Sequence, residues 1–123
     1  MPNHIHIIWQ ILGEHLYNNV QRDFLKYTAQ MLKFELLKTN SEILKLFESN
    51  NMDRKYQIWK YNSLSIELYS KSVFEQKLNY IHQNPLKEKW QLAGNIEDYK
   101  YSSASYYVNG RTDFKFITNY YEE

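Results

Sequence analysis

Three glycines and two prolines are all that break regular backbone in 123 residues, so the spacing of apolar side chains has to mark where elements begin and end. The clearest spacing runs through residues 19–38, where Val20, Phe24, Tyr27, Met31 and Phe34 recur at offsets 0, 4, 7, 11 and 14. That is the stripe a helix turns toward a core. Arg22, Lys26 and Lys33 fall on its other faces, either as a solvated surface or as a face for phosphates. Ser41, ahead of Glu-Ile-Leu-Lys-Leu-Phe, is placed to cap a second short helix, and residues 50–53 read as a turn.

Ahead of these helices, residues 5–12 read Ile-His-Ile-Ile-Trp-Gln-Ile-Leu. An apolar, β-branched run of this length predicts a largely buried strand over 4–12, ended by Gly13. Further strand candidates lie at 55–61 and 64–69. In the second, Leu64, Ile66 and Leu68 alternate with Ser65, Glu67 and Tyr69. Ser72, with Glu75 three residues on, is a capping-box pattern. It predicts a helix from Ser72 to about Asn84, stopped by Pro85, because a residue before proline is pushed out of the helical region.

Composition narrows the chemistry. There is no cysteine, which excludes disulfides, thiolate zinc sites and a cysteine nucleophile. No run of about 18 apolar residues occurs, and Met1-Pro2-Asn3-His4 lacks the features of a signal peptide, so a single cytoplasmic domain over 1–123 with no membrane span is expected. Lys and Arg number 15 against 14 Asp and Glu, so bulk charge does not announce a nucleic-acid partner, and any basic patch has to be local. The aromatic content is high, at 12 Tyr, 6 Phe and 3 Trp. Most of the Phe and Trp are expected in the core, while tail tyrosines such as Tyr106 and Tyr107 are candidate platforms for stacked bases.

Two patterns carry chemistry. In a strand, His4 and His6 share one face, about 6.5–7 Å apart along it, a spacing at which two imidazole nitrogens can converge on one metal ion. Taken alone, two polar strand residues with no metal explain the pair as well. On the capped helix, Tyr80 and Asn84 sit one turn apart on one face. A neutral phenol is a weak nucleophile that needs a cation to polarise the phosphate it attacks, and an amide oxygen one turn away is a hard ligand for that cation. Packing by Tyr80 and capping by Asn84 is the plainer alternative. His82 lies about 200° round the helix from Tyr80, and it and His15 are read as structural or surface residues.

The two patterns in this order, Met1-Pro2-Asn3-His4-Ile5-His6 and later Asn79-Tyr80-Ile81-His82-Gln83-Asn84-Pro85-Leu86-Lys87, resemble the tyrosine (Y1) transposases of the IS200-like class, above all the REP-associated tyrosine transposases. Tyr99-Lys100-Tyr101-Ser102-Ser103 resembles that family's Tyr-x-Trp-Ser-Ser segment, and Leu86 and Tyr101 are departures from its pattern. The resemblance implies an α+β, ferredoxin-like (RRM-like) antiparallel sheet packed with helices, with the His-hydrophobic-His (HUH) motif on a central strand. It implies His4, His6 and Asn84 as ligands of Mg²⁺ or Mn²⁺, with Mn²⁺ the better match to imidazole. Tyr80 would attack single-stranded DNA, hairpin-bearing in this family, to give a 5′-phosphotyrosine and a free 3′-OH. Rejoining reverses the step. Arg22, Lys26, Arg54, Lys87, Lys89 and Arg111 are candidates for a phosphate track.

Family members carry a strand and helix before the His-bearing strand, whereas only Met1, Pro2 and Asn3 precede His4 here. On this resemblance a sheet lacking its N-terminal strand and helix is one expectation, with an open edge that either a homodimer covers or reduced stability betrays. This leaves a truncated, catalytically inactive DNA-binding derivative as the alternative function, and a metal-dependent nuclease using water as a third.

Overall fold

The computed structural model describes residues 1–121. They fall into two compact units, one made of Met1–Ile8 with Glu67–Glu123 and the other of Trp9–Ile66. The elements are helical: α1 (Tyr17–Thr39), α2 (Ser41–Lys45), α3 (Lys71–Gln83) and α4 (Ala104–Asn109), with single 3-10 turns at Asn84–Leu86 and Ile96–Asp98. Among the described residues, no helix is long and apolar enough to cross a membrane.

No sheet forms among the described residues, which overturns the expected ferredoxin-like antiparallel sheet and its central HUH strand. The only strand-like pairing is an isolated antiparallel bridge between Glu48 and Tyr56. It is flanked by Ser49 N–H to Lys55 C=O at 2.9 Å and Gln57 N–H to Phe47 C=O at 2.8 Å. Residues 4–12 and 64–69 acquire no ladder partner. The reason lies in what strand propensity measures. It is mostly packing on a pleated, half-buried surface, and alternation alone creates no partner. Ile5 and Ile7, expected inside, are 52% and 42% exposed.

In the Trp9–Ile66 unit, α1 runs 23 residues because nothing in Tyr17–Thr39 breaks it. Its N-cap is Leu16, which has no side-chain cap. Val20 and Phe24 of the expected stripe are half-buried, and Phe24 meets the Trp9 ring edge-on at 5.5 Å. Beyond that the stripe faces solvent, with Tyr27, Met31 and Phe34 all exposed. Half-buried Thr28 and Ala29 replace them on the inner side, where Trp59 Nε1–H donates to Thr28 Oγ1 at 2.9 Å. Tyr17 and Gln21 both hydrogen-bond Ser65. Asn40, not Ser41, caps α2, its side chain accepting from Ile43 N–H at 3.2 Å. Leu44 of α2, which packs on α1, is 1% exposed.

In the other unit, α3 starts earlier than the capping-box pattern predicts. Its N-cap is Ser70, whose Oγ accepts from Val73 N–H at 3.2 Å, and Ser72 lies within the first turn. Pro85 does not stop the backbone either. Asn84 stays helical at φ −55°, ψ −44°, and Pro85 enters a 3-10 turn that needs no proline N–H. The chain then reverses: Trp90 and Gln91 N–H groups donate to Lys87 C=O at 2.8 and 2.9 Å, and Leu92 N–H donates to Pro85 C=O at 2.8 Å. Helix α4 ends at Gly110, whose φ of 67° is the left-handed closure glycine permits without a side-chain clash.

Across the described residues Leu44 and Ala104 are the only fully buried apolar side chains besides Pro85. No Phe or Trp is fully buried, so the expectation of an aromatic core fails. The aromatics gather instead in half-exposed clusters, such as Phe74, Tyr120 and Tyr121 with ring centroids 4.4 and 4.0 Å apart.

Candidate active site

Four of the residues singled out from sequence converge within the unit formed by Met1–Ile8 and Glu67–Glu123. Helix α3 presents Tyr80 and Asn84 on one face, as their spacing requires. Tyr80 is 50% exposed, while Asn84, where the helix passes into the 3-10 turn, is 4% exposed. The segment bearing His4 and His6 lies against that face without being a strand. Asn84 Nδ2–H donates to His6 Nε2 at 2.9 Å. The His6 ring stands edge-on to Tyr80, centroids 6.0 Å apart, and His4 stands edge-on to His6 at 5.0 Å.

The hydrogen bonds set the tautomers. Asn3 Oδ1 can only accept, so His4 Nδ1–H donates to it at 2.7 Å and His4 Nε2 keeps its lone pair. His6 Nε2 accepts from Asn84, which puts the proton of His6 on Nδ1. Both imidazoles thus carry their basic lone pair on Nε2, and that of His6 is engaged by the buried Asn84 amide. Both are held below the ordinary histidine range, His4 by burial first and then by the amino terminus and Lys89. For His6 the order is burial, His4, the amino terminus and Lys87. Both shifts favour the neutral ring, the form that ligates a metal.

Among the described residues no three His, Cys, Asp or Glu side chains gather as a metal site, so an ion here would rest on two imidazoles and one carboxamide. That neutral set fits Mn²⁺ better than Mg²⁺, which prefers anionic oxygen. Asn84 has its nitrogen toward His6, and half a turn of the amide plane would present Oδ1 instead.

The six candidate phosphate contacts are dispersed. Lys87 and Lys89 lie at the site: Lys87 Nζ is 3.8 Å from the Tyr80 ring centroid, and Lys89 Nζ is 4.9 Å from that of Trp90. Arg111 lines a separate small hollow with Ser102, Ser105 and Asp113. Arg22, Lys26 and Arg54 belong to the other unit, where Arg22 is bound to Asp23 at 2.8 Å and Arg54 to Asp53 at 2.6 Å. Sequence reasoning missed Trp90, whose ring lies 5.6 Å from His4, and Asn3, which orients His4. The turn after Pro85 brings Trp90 there, and no short-range signal announces it. His82, read from sequence as structural or surface, is 5% exposed. It shares a 2.9 Å hydrogen bond with Ser103 Oγ, and burial lowers its pKa.

No family model, no curated protein and no solved structure matches this chain.

Proposed function

We propose that this chain cuts and rejoins single-stranded DNA through Tyr80, as a metal-dependent strand transferase of the tyrosine transposase kind working in the cytoplasm. The observation that carries the reading is the 2.9 Å contact between His6 and Asn84, residues far apart in sequence. It joins the two motifs that the resemblance pairs, and half-exposed Tyr80 stands beside them. The reading rests on this constellation and not on a sheet.

In this reading Tyr80 Oη attacks a backbone phosphorus. The phosphorus–3′-oxygen bond breaks, the phenolic proton passes to water, the leaving 3′ oxygen takes a proton from water, and a 5′-phosphotyrosine and a 3′-OH result. Lys87, over the Tyr80 ring, steadies it and places positive charge where a phosphate approaches. The Nε2 atoms of His4 and His6, with Asn84 Oδ1 after its amide turns, would hold Mg²⁺ or Mn²⁺. The ion supplies Lewis-acid polarisation of the phosphate when bound. Hairpin-bearing single-stranded DNA is the partner.

The test is incubation with Mn²⁺ and hairpin-bearing single-stranded DNA, followed by denaturing electrophoresis. A covalent adduct is expected from the wild type and none from Tyr80→Phe. An adduct that persists in Tyr80→Phe refutes the assignment. Cleavage that survives Tyr80→Phe but is lost in His6→Ala replaces it with a water nucleophile. DNA binding without adduct under any metal replaces it with a binding role.

A further inference from the structure

Within the Trp9–Ile66 unit, a hollow of about 260 Å³ is lined by Gln30, Lys33, Asp53, Arg54, Lys55 and Tyr56 among others. Three cations meet one carboxylate there, and that carboxylate, Asp53, is held by Arg54. Among the described residues, neither Lys33 nor Lys55 lies within ion-pair distance of a carboxylate. Lys33, half-buried, thus lines the hollow with no carboxylate in ion-pair distance.

Each cation also sits over an aromatic ring. Lys33 Nζ is 4.8 Å from the Phe34 centroid, Lys55 Nζ is 5.4 Å from that of Tyr56, and the Arg54 guanidinium carbon is 5.4 Å from that of Tyr61. Phe34 and Tyr61 are 52% and 60% exposed. We infer that this surface is a binding track for single-stranded DNA, with phosphates at Lys33, Arg54 and Lys55 and bases stacked on Phe34 and Tyr61. The inference rests on the proposed function for its choice of DNA. The interleaving of charge and ring decides the rest. A single strand offers phosphates and free base faces together, whereas a duplex hides its base faces. The track also explains how a chain of net charge +1 holds a polyanion, since the positive charge is concentrated in one place.

The experiment measures binding of labelled oligothymidylate by fluorescence anisotropy, without metal, across a range of salt concentrations. Wild type is compared with Lys33→Gln/Lys55→Gln and with Phe34→Ala/Tyr61→Ala, with an abasic oligomer as a second ligand and far-UV circular dichroism as the check on folding. The lysine variant should lower the slope of log affinity against log salt by about 1.4, at roughly 0.7 per phosphate contact. The aromatic variant should weaken oligothymidylate binding about tenfold or more and leave the abasic oligomer unaffected. Wild-type affinity and slope in both variants, or no binding by the wild type, overturns the track. If the variants bind as the wild type does and Tyr80 adducts still form, only the track has failed. If binding depends on the track but no adduct forms, only the catalytic reading has failed. If the aromatic variant does not fold, the salt slope of the lysine variant decides alone.

Discussion

The contact between His6 and Asn84 makes the role of Asn84 testable by sign. Metal at His6 Nε2 has to displace the 2.9 Å hydrogen bond that Asn84 donates to it. The bond is only part-buried, so the His6 nitrogen finds water when the amide is removed, and the net worth of the bond is about 1 kcal/mol. If Asn84 only occupies Nε2, Asn84→Ala removes a competitor and tightens Mn²⁺ binding about fivefold. If Asn84 turns its oxygen to the ion, the same substitution removes a ligand and weakens binding by about tenfold or more. We expect weakening. Isothermal titration with Mn²⁺ reads the sign directly, with His6→Ala as the variant that loses binding altogether. In the absence of metal, Asn84→Ala should lower Tm by about 4 °C, since 1 kcal/mol is worth roughly that in a chain of 123 residues. Tighter Mn²⁺ binding in Asn84→Ala refutes a ligand role for Asn84, and unchanged binding in both variants refutes the site.

Other expectations follow from caps and charges. Ser70→Ala should destabilise by about 1 kcal/mol in urea denaturation, because Ser70 Oγ caps α3, whereas Ser72→Ala, inside the first turn, should be neutral or stabilise by a few tenths. Equal effects would mean that the cap does not sit at Ser70. Burial holds the pKa values of His4, His6 and His82 below their unfolded values. Their contribution to stability is therefore fully present above about pH 6.5 and is lost as pH falls from there toward the folded values, because the unfolded chain then binds more protons. Urea midpoints measured between about pH 8 and pH 5 should fall with acidification, less so in His82→Gln, and a flat profile contradicts the burial argument.

What was legible in the sequence was local. The stripe from Val20 to Phe34 marks α1, and the four-residue step from Tyr80 to Asn84 survives in α3, because backbone hydrogen bonds within a helix close over a few residues. The resemblance pairs His4 and His6 with that step, and the fold places the four residues near one another. The caps were misread by one or two positions. Asn40 and Ser41, or Ser70 and Ser72, are chemically able to cap alike, and only the dihedral angles decide, with Ser70 extended at φ −148°, ψ 156°.

The strands were misread for a deeper reason. Alternation at 64–69 and the apolar run at 4–12 state a preference, while a sheet needs a second chain segment in register, and the described residues supply none. The placement of Trp90 beside His4 and the gathering of Lys33, Arg54 and Lys55 around one hollow are likewise decided by turns and packing between distant segments. By itself the sequence determined the two long helices and the spacing of Tyr80 and Asn84 along one of them. Only the tertiary structure decided which apolar segments found partners and which cations met, because those outcomes depend on contacts that no short window of residues contains.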